Sequence, residues 1–114
     1  MPYISTKTTK KITKEAEQIL TKKLGEAITA LKGKSEKWLM LDFSDERRMA
    51  FAGNSKDDCA MIEIELFGRA SESEYSLLTE RVSKIVNEVL GIDKDRIYVK
   101  YEEISTWGFN GNNF

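Results

Sequence analysis

Two stretches with helical periodicity, each set between strand-like runs, constrain this chain more than any other feature. The first is KKITKEAEQILTKKLGEAITALKGK. There Ala16, Ile19, Leu20, Leu24, Ala27, Ile28 and Leu31 recur at spacings of three and four, which places them on one stripe of a helix. Thr13 is of a residue type that caps a helix start, and Gly33 stands where such a helix would stop. The second is SESEYSLLTERVSKIVNEVLG, with Tyr75, Leu78, Val82, Ile85, Val86 and Val89 as its stripe. Ser71 and Glu74 have capping-box spacing, and Gly91 ends the pattern.

Strand signals surround both helices. Residues 2–8 read as a short strand opened by Pro2, whose missing N–H suits a strand start or a sheet edge. KWLMLDF, residues 37–43, reads as a buried strand, with Trp38, Leu39, Met40 and Leu41 apolar on both faces. DERR is then a polar turn and MAFAG a short extended piece. CAMIEIELFG alternates, with Ile62, Ile64 and Leu66 on one face and Glu63 and Glu65 on the other. DRIYVKYEEI does the same, with Ile97, Val99 and Tyr101 opposed to Tyr98, Lys100 and Glu102. The tail STWGFNGNNF is rich in glycine and asparagine yet keeps three aromatic residues.

The order is therefore β-α-β followed by β-α-β, in halves of similar length. It predicts an α+β fold in one domain over residues 1–114: a four-stranded mixed sheet with two helices on one face, built as an internal structural repeat. Two helices cover only one face of the sheet. The doubly apolar run at 37–43 then predicts an oligomer in which the sheets of several copies face inward.

Composition narrows the chemistry. A chain of 114 residues with 40% hydrophobic and 32% charged residues has room for one core. A net charge of −1 gives no general case for nucleic acid or an anionic membrane as partner. Lys7, Lys10, Lys11, Lys14, Lys22 and Lys23 fall mostly on the polar side of the first helix, as a solvated face. The chain has no histidine and one cysteine, Cys59. A Ser-His-Asp triad, a His-Cys metal site and an internal disulfide are all excluded by that count. No apolar run is long enough to span a membrane, and no signal-type segment precedes Pro2. The expected location is the cytoplasm, or the exterior by a route that needs no signal peptide.

Pro2 has a second reading. Initiator methionine is commonly removed when the next residue is small, and Pro2 then becomes a free secondary amine that can take up a proton. The pair Met1-Pro2 leaves both readings open, strand start and base.

With the whole pattern in view, the chain resembles the macrophage migration inhibitory factor family of the tautomerase superfamily. The resemblance rests on Met1-Pro2, Gly33-Lys34, MAFAG at 49–53, DRIYV at 95–99 and the ending WGFNGNNF, in that order over essentially the whole length. It implies a homotrimer with an active site at each subunit boundary, Pro2 as general base, and no cofactor. The implied reaction is keto–enol tautomerisation of phenylpyruvate or another small carbonyl acid. It further implies that Lys34 holds the substrate carboxylate or polarises its carbonyl, and that the Phe67 backbone N–H contacts the same anion. Tyr98 would face the pocket from a neighbouring subunit. Trp38, Trp107, Phe109 and Phe114 would line the pocket mouth.

The chemistry of a terminal amine agrees with this reading. A free α-amino group has a pKa of about 8. Burial and a nearby cation, here Lys34, push it down toward neutral pH, where a general base works best. The sequence also departs from the family pattern. Lys100 stands where the best-known member has an amide that helps bind substrate, and its charge favours acidic substrates. Phe67 replaces a smaller aliphatic residue and narrows the cavity. Cys59-Ala60-Met61-Ile62 replaces a Cys-x-x-Cys found in some members, which removes dithiol chemistry.

Two other functions compete. In a cytokine-like signalling or interaction protein the trimer surface would matter, the pocket would be residual, and a receptor would be the partner. A ferredoxin-like RNA-binding module is disfavoured, because RIYVKY lacks the glycine–aromatic pattern of such modules.

Overall fold

A computed structural model describes residues 1–114. The chain forms β1 (Pro2–Thr8), α1 (Lys14–Ala27), β2 (Met40–Ser44), β3 (Ala60–Phe67), α2 (Glu72–Leu90) and β4 (Ile97–Ile104). A small hairpin follows, β5 (Gly108–Phe109) and β6 (Asn112–Asn113). The four main strands make one mixed sheet in the order β2-β1-β3-β4. β1 runs parallel to β2 and β3 runs parallel to β4, each pair joined through a helix. β1 and β3 meet antiparallel at the centre, with Ile4 opposite Ile64. This is the double β-α-β arrangement that the sequence periodicity predicts.

The core follows the alternation of the strands. Ile4, Ile62, Ile64 and Leu66 are fully buried on the helix-covered face. Leu20, Leu24, Ile28 and Leu31 meet them from the α1 side, and Leu78, Val82, Val86 and Leu90 from α2. At the start of α1 the Thr13 side chain accepts from the Ala16 N–H at 3.1 Å. α2 opens with a full capping box between Ser71 and Glu74 and closes on Gly91, whose φ of 70° is the left-handed cap that glycine adopts without strain. No helix is long and apolar enough to cross a membrane.

Several sequence expectations need correction. α1 ends at Ala27 rather than reaching Gly33; Ile28–Ala30 tighten into a 3₁₀ turn in which the Thr29 hydroxyl donates to the Glu26 carbonyl at 2.8 Å. Ile19 belongs to the predicted stripe but is exposed, at its edge. MAFAG is not extended throughout. Phe51 and Asn54 close a tight turn on each other, with positive φ at Ala52 and Gly53.

The largest correction concerns residues 37–43. Glu36–Trp38 form a 3₁₀ turn and the strand begins only at Met40. The Glu36 side chain lies over Gly25 of α1, and the turn is closed by Trp38 N–H to Ser35 O at 3.2 Å and Leu39 N–H to Glu36 O at 3.1 Å. β2 is an edge strand. Leu41 and Phe43 pack half-buried against the core, while Met40 is 67% and Trp38 39% exposed. The second face of the sheet is mixed: one row holds Met40, Tyr3, Glu65 and Glu102, the next Asp42, Ser5, Glu63 and Lys100, and a third Ser44, Lys7, Met61 and Tyr98. Glu63 pairs with Lys7 and, at 3.1 Å, with Lys100; Tyr3 Oη donates to Asp42 at 2.7 Å. The centre of this face is thus charged, with apolar Met40 and Tyr98 exposed toward its margins.

The tail, rich in glycine and asparagine, is not left irregular. It folds as a hairpin across Asn110-Gly111, with φ of 53° and 80°, the mirror-image turn that an Asn-Gly pair favours.

Candidate active site at the amino terminus

β1 begins at Pro2, which lies in register with Leu66 near the end of β3. The chain start is thus fixed at one end of the central strand pair. The Met1 carbonyl accepts from the Phe67 N–H at 3.0 Å. On the other side of that peptide segment, Lys34 Nζ donates to the Phe67 carbonyl at 2.9 Å. Lys34 reaches this position because Gly33, at φ 80°, reverses the chain after the 3₁₀ turn and Lys34 N–H bonds back to Leu31 O at 3.0 Å. The lysine is not the free turn residue that its place after a helix-ending glycine suggests.

An amine placed here is a weak acid-binder. The terminal ammonium is lowered from 8.0 to about 6, first by burial, then by the charge of Lys34 and a hydrogen bond to it. In the chain as it stands that amine belongs to Met1.

The aromatic residues make a row leading away from this point. Phe67 and Phe114 have ring centroids 5.7 Å apart, Phe114 and Phe109 6.3 Å, and Phe109 meets Trp38 edge-on at 5.1 Å. The tail hairpin delivers Phe109 and Phe114, and the 3₁₀ turn delivers Trp38. Trp107 stands outside the row; its carbonyl accepts from the Phe114 N–H at 2.9 Å and so anchors the end of the chain.

One chain therefore gathers Pro2, Lys34, Phe67, Trp38, Phe109 and Phe114, with Trp107 in support. It does not gather Tyr98 or Lys100. Tyr98 is opposite Met61, five residues along β3 from Leu66, which is about 17 Å at strand rise. Tyr98 is 58% exposed and packs on Phe51, centroids 4.6 Å apart, beneath which Arg96 also stacks. Lys100 is held by Glu63 on the polar sheet face. The largest groove of the chain, lined by Tyr75, Thr79, Val99 and Tyr101, lies between α2 and β4 and contains neither Pro2 nor Lys34.

Sequence reasoning missed two contacts here. The Met1–Phe67 bond follows from strand register, which no local pattern reveals. Glu74 was legible as a capping residue, but its second oxygen accepts from the Lys32 N–H at 2.7 Å, a contact between distant elements.

Comparison with known proteins agrees with this geometry. The homologue of macrophage migration inhibitory factor from Brugia malayi is 27% identical over 95 residues, covering 82% of each chain. The crystal structure of Leishmania major MIF2 superposes with a TM-score of 0.93 at 28% identity, covering 100% of this chain and 97% of that one. The macrophage migration inhibitory factor of Toxoplasma gondii gives a TM-score of 0.89 at 25% identity, covering 98% and 99%. The sequence model of the macrophage migration inhibitory factor family matches residues 1–114 in full, and the chain belongs to that family.

Proposed function

We propose that this protein is a cofactor-independent tautomerase of small carbonyl acids, phenylpyruvate among them, with the Pro2 amine as general base after removal of Met1. The observation that carries this reading is the convergence of the chain start and Lys34 on Phe67, whose N–H donates to Met1 O and whose carbonyl accepts from Lys34 Nζ, so that removal of Met1 would leave a free amine and a free backbone donor beside the lysine.

The steps follow from the groups at hand. The Pro2 amine, its basicity lowered by the neighbouring Lys34 charge, takes the proton from the carbon next to the substrate carbonyl in its neutral form. Negative charge then grows on the carbonyl oxygen. The Lys34 ammonium and the Phe67 N–H stabilise that charge or hold the carboxylate beside it, and a donor fixed in advance costs little reorganisation. The protonated amine returns its proton to oxygen or to carbon, which completes the keto–enol exchange. Phe67, Phe114 and Phe109 give an apolar surface for an aromatic substrate. Proline suits the role because its ring fixes the direction of the nitrogen.

The assembly that fits this reading is a homotrimer in which Tyr98 and Lys100 of one subunit complete the site of the next. Their distance from Pro2 within one chain supports a shared site. Lys100 would add a second cation for acidic substrates.

Intact mass establishes whether Met1 is absent from the natively expressed protein, and enol–keto absorbance with phenylpyruvate then measures turnover. Sedimentation should give three times the 13.1 kDa chain mass. A processed protein with no rate above buffer refutes the enzymatic reading and leaves the cytokine-like one. A stable monomer at micromolar concentration refutes the shared site.

A further inference from the structure

The turn that carries Lys34 is anchored from outside the site. Glu74 Oε2 accepts from the Lys32 N–H at 2.7 Å, while Glu74 Oε1 accepts from the Ser71 N–H at 3.0 Å and the Ser71 hydroxyl at 2.8 Å. One carboxylate thus completes the cap of α2 and grips the loop that leaves α1. Between Lys32 and Lys34 stands only Gly33, in the left-handed conformation and with open space around it. Glycine resists rotation less than any other residue. The turn is held from within by Lys34 N–H to Leu31 O at 3.0 Å, and from outside α1 by the anchor at Lys32. Beyond it, the lysine head has a single hydrogen bond, to Phe67 O. The Lys32 bond draws the Glu74 carboxyl below the usual carboxylate range, ahead of the two bonds from Ser71.

We propose that Glu74 is a positioning residue for Lys34: through Lys32 it fixes the turn so that the ammonium meets the substrate anion. The proposal rests on the tautomerase reading above. Glu74 touches no substrate and is not catalytic. Its effect must therefore appear as misplacement of a charge, which weakens hold on an anionic substrate more than on a neutral one.

Two substitutions separate positioning from folding. Glu74→Gln keeps the side-chain length but leaves one carbonyl oxygen where the carboxylate offered two, and its NH₂ repels whichever N–H it faces. Ser71→Ala removes the cap hydroxyl and weakens the helix start, but leaves Glu74 free to hold Lys32. In processed protein, Glu74→Gln should lower kcat/KM for phenylpyruvate on the order of tenfold, mainly through KM. Its effect on the methyl ester, which lacks the carboxylate, should be within about twofold, and Ser71→Ala should leave both substrates within about twofold despite a lower Tm. Amide hydrogen exchange at Lys32 provides a readout independent of turnover, and should accelerate in Glu74→Gln but not in Ser71→Ala. Active wild type with an equally active Glu74→Gln variant overturns the proposal. So does equal damage to acid and ester, or unchanged exchange at Lys32. If processed wild type shows no turnover at all, the tautomerase reading fails instead, and exchange at Lys32 still decides whether Glu74 holds the turn.

Discussion

Replacing Lys34 by alanine removes two things at once, and the structure lets their sizes be separated. The first is a charge that lowers the basicity of the terminal amine. At the Met1 amine burial is the larger cause of the lowering and Lys34 the next, and a Pro2 amine in its place would meet the same charge. Without Lys34 the amine rises partway toward 8.0. For any amine that titrates about one unit below pH 7, a rise of about one unit halves the neutral fraction, so proton availability changes the rate by only about twofold. The second loss is the anion contact itself. A hydrogen bond to a charged group is worth about 1.5–3 kcal/mol, or roughly ten- to a hundredfold in kcat/KM. The second effect therefore dominates at pH 7. The two separate in a pH profile of kcat/KM for phenylpyruvate. The active form is the neutral amine, so the rate rises with pH through the amine pKa, and Lys34→Ala moves that rise to higher pH while lowering the plateau. The bond from Lys34 to Phe67 O also makes the change costlier to the fold than for a free surface lysine, by about 1 kcal/mol. A Lys34→Ala enzyme with the wild-type plateau and the wild-type rise refutes the placement of Lys34 in the site.

Further outcomes follow from other contacts. A form with Met1 retained ties the Pro2 nitrogen into an amide and leaves Phe67 N–H bonded to Met1 O, so its turnover should fall a hundred- to ten-thousandfold below the processed form; equal rates in the two forms would reduce Pro2 to a strand start. The Met1-retained chain should gain stability as pH rises from about 6 to 8, because its unfolded amine still binds a proton that the folded amine has shed. The full difference corresponds to about 2.7 kcal/mol, which solvent screening of a partly exposed amine reduces to about 1 kcal/mol, readable in urea titrations at the two pH values. Arg96 donates to the carbonyls of Asp58, Phe51, Asn54 and Asp57, so Arg96→Lys should cost about 2–3 kcal/mol by releasing that loop and the Phe51 ring beneath Tyr98; an unchanged Tm would show the loop is held otherwise. Gly111→Ala forces a side chain into φ 80° and should loosen the tail hairpin by about 1–2 kcal/mol, raising KM for an aromatic acid while the Tm of the core stays put.

The readable parts of the fold are those written in short-range periodicity. Ile62, Ile64 and Leu66 declare β3 by alternation, and Ser71, Glu74 and Gly91 mark both ends of α2. Residues 37–43 misled because a run of Trp, Leu and Met has no period that tells a buried strand from a turn followed by an edge strand. What Trp38 packs on is Phe109 of the tail hairpin, a contact between segments about seventy residues apart. The polarity of the open face was present in Glu63, Glu65, Lys100 and Glu102, and the register of β1 against β3 unites them with Tyr3, Ser5 and Asp42. At the site, Pro2 and Lys34 were legible through resemblance and through the absence of histidine. Their convergence on Phe67 is a tertiary fact. The Asn110-Gly111 signal was present in the tail and is sufficient for a hairpin, although its role in carrying Phe114 to Phe67 is visible only in three dimensions.

The position of β1 in the middle of the sheet sets a timetable for synthesis. Pro2 pairs with Leu66, so the first strand has no antiparallel partner until more than half the chain has left the ribosome. At about 5–20 residues per second, that delay lasts at least several seconds. During it the chain start lacks its β3 partner and is open to an aminopeptidase, whereas afterwards the Met1 carbonyl is engaged by Phe67 and the amine is partly enclosed. The excision that would create the reactive nitrogen thus belongs to the nascent chain. Material expressed faster than its aminopeptidase can follow would accumulate as a folded fraction that later exposure to the same enzyme trims only slowly.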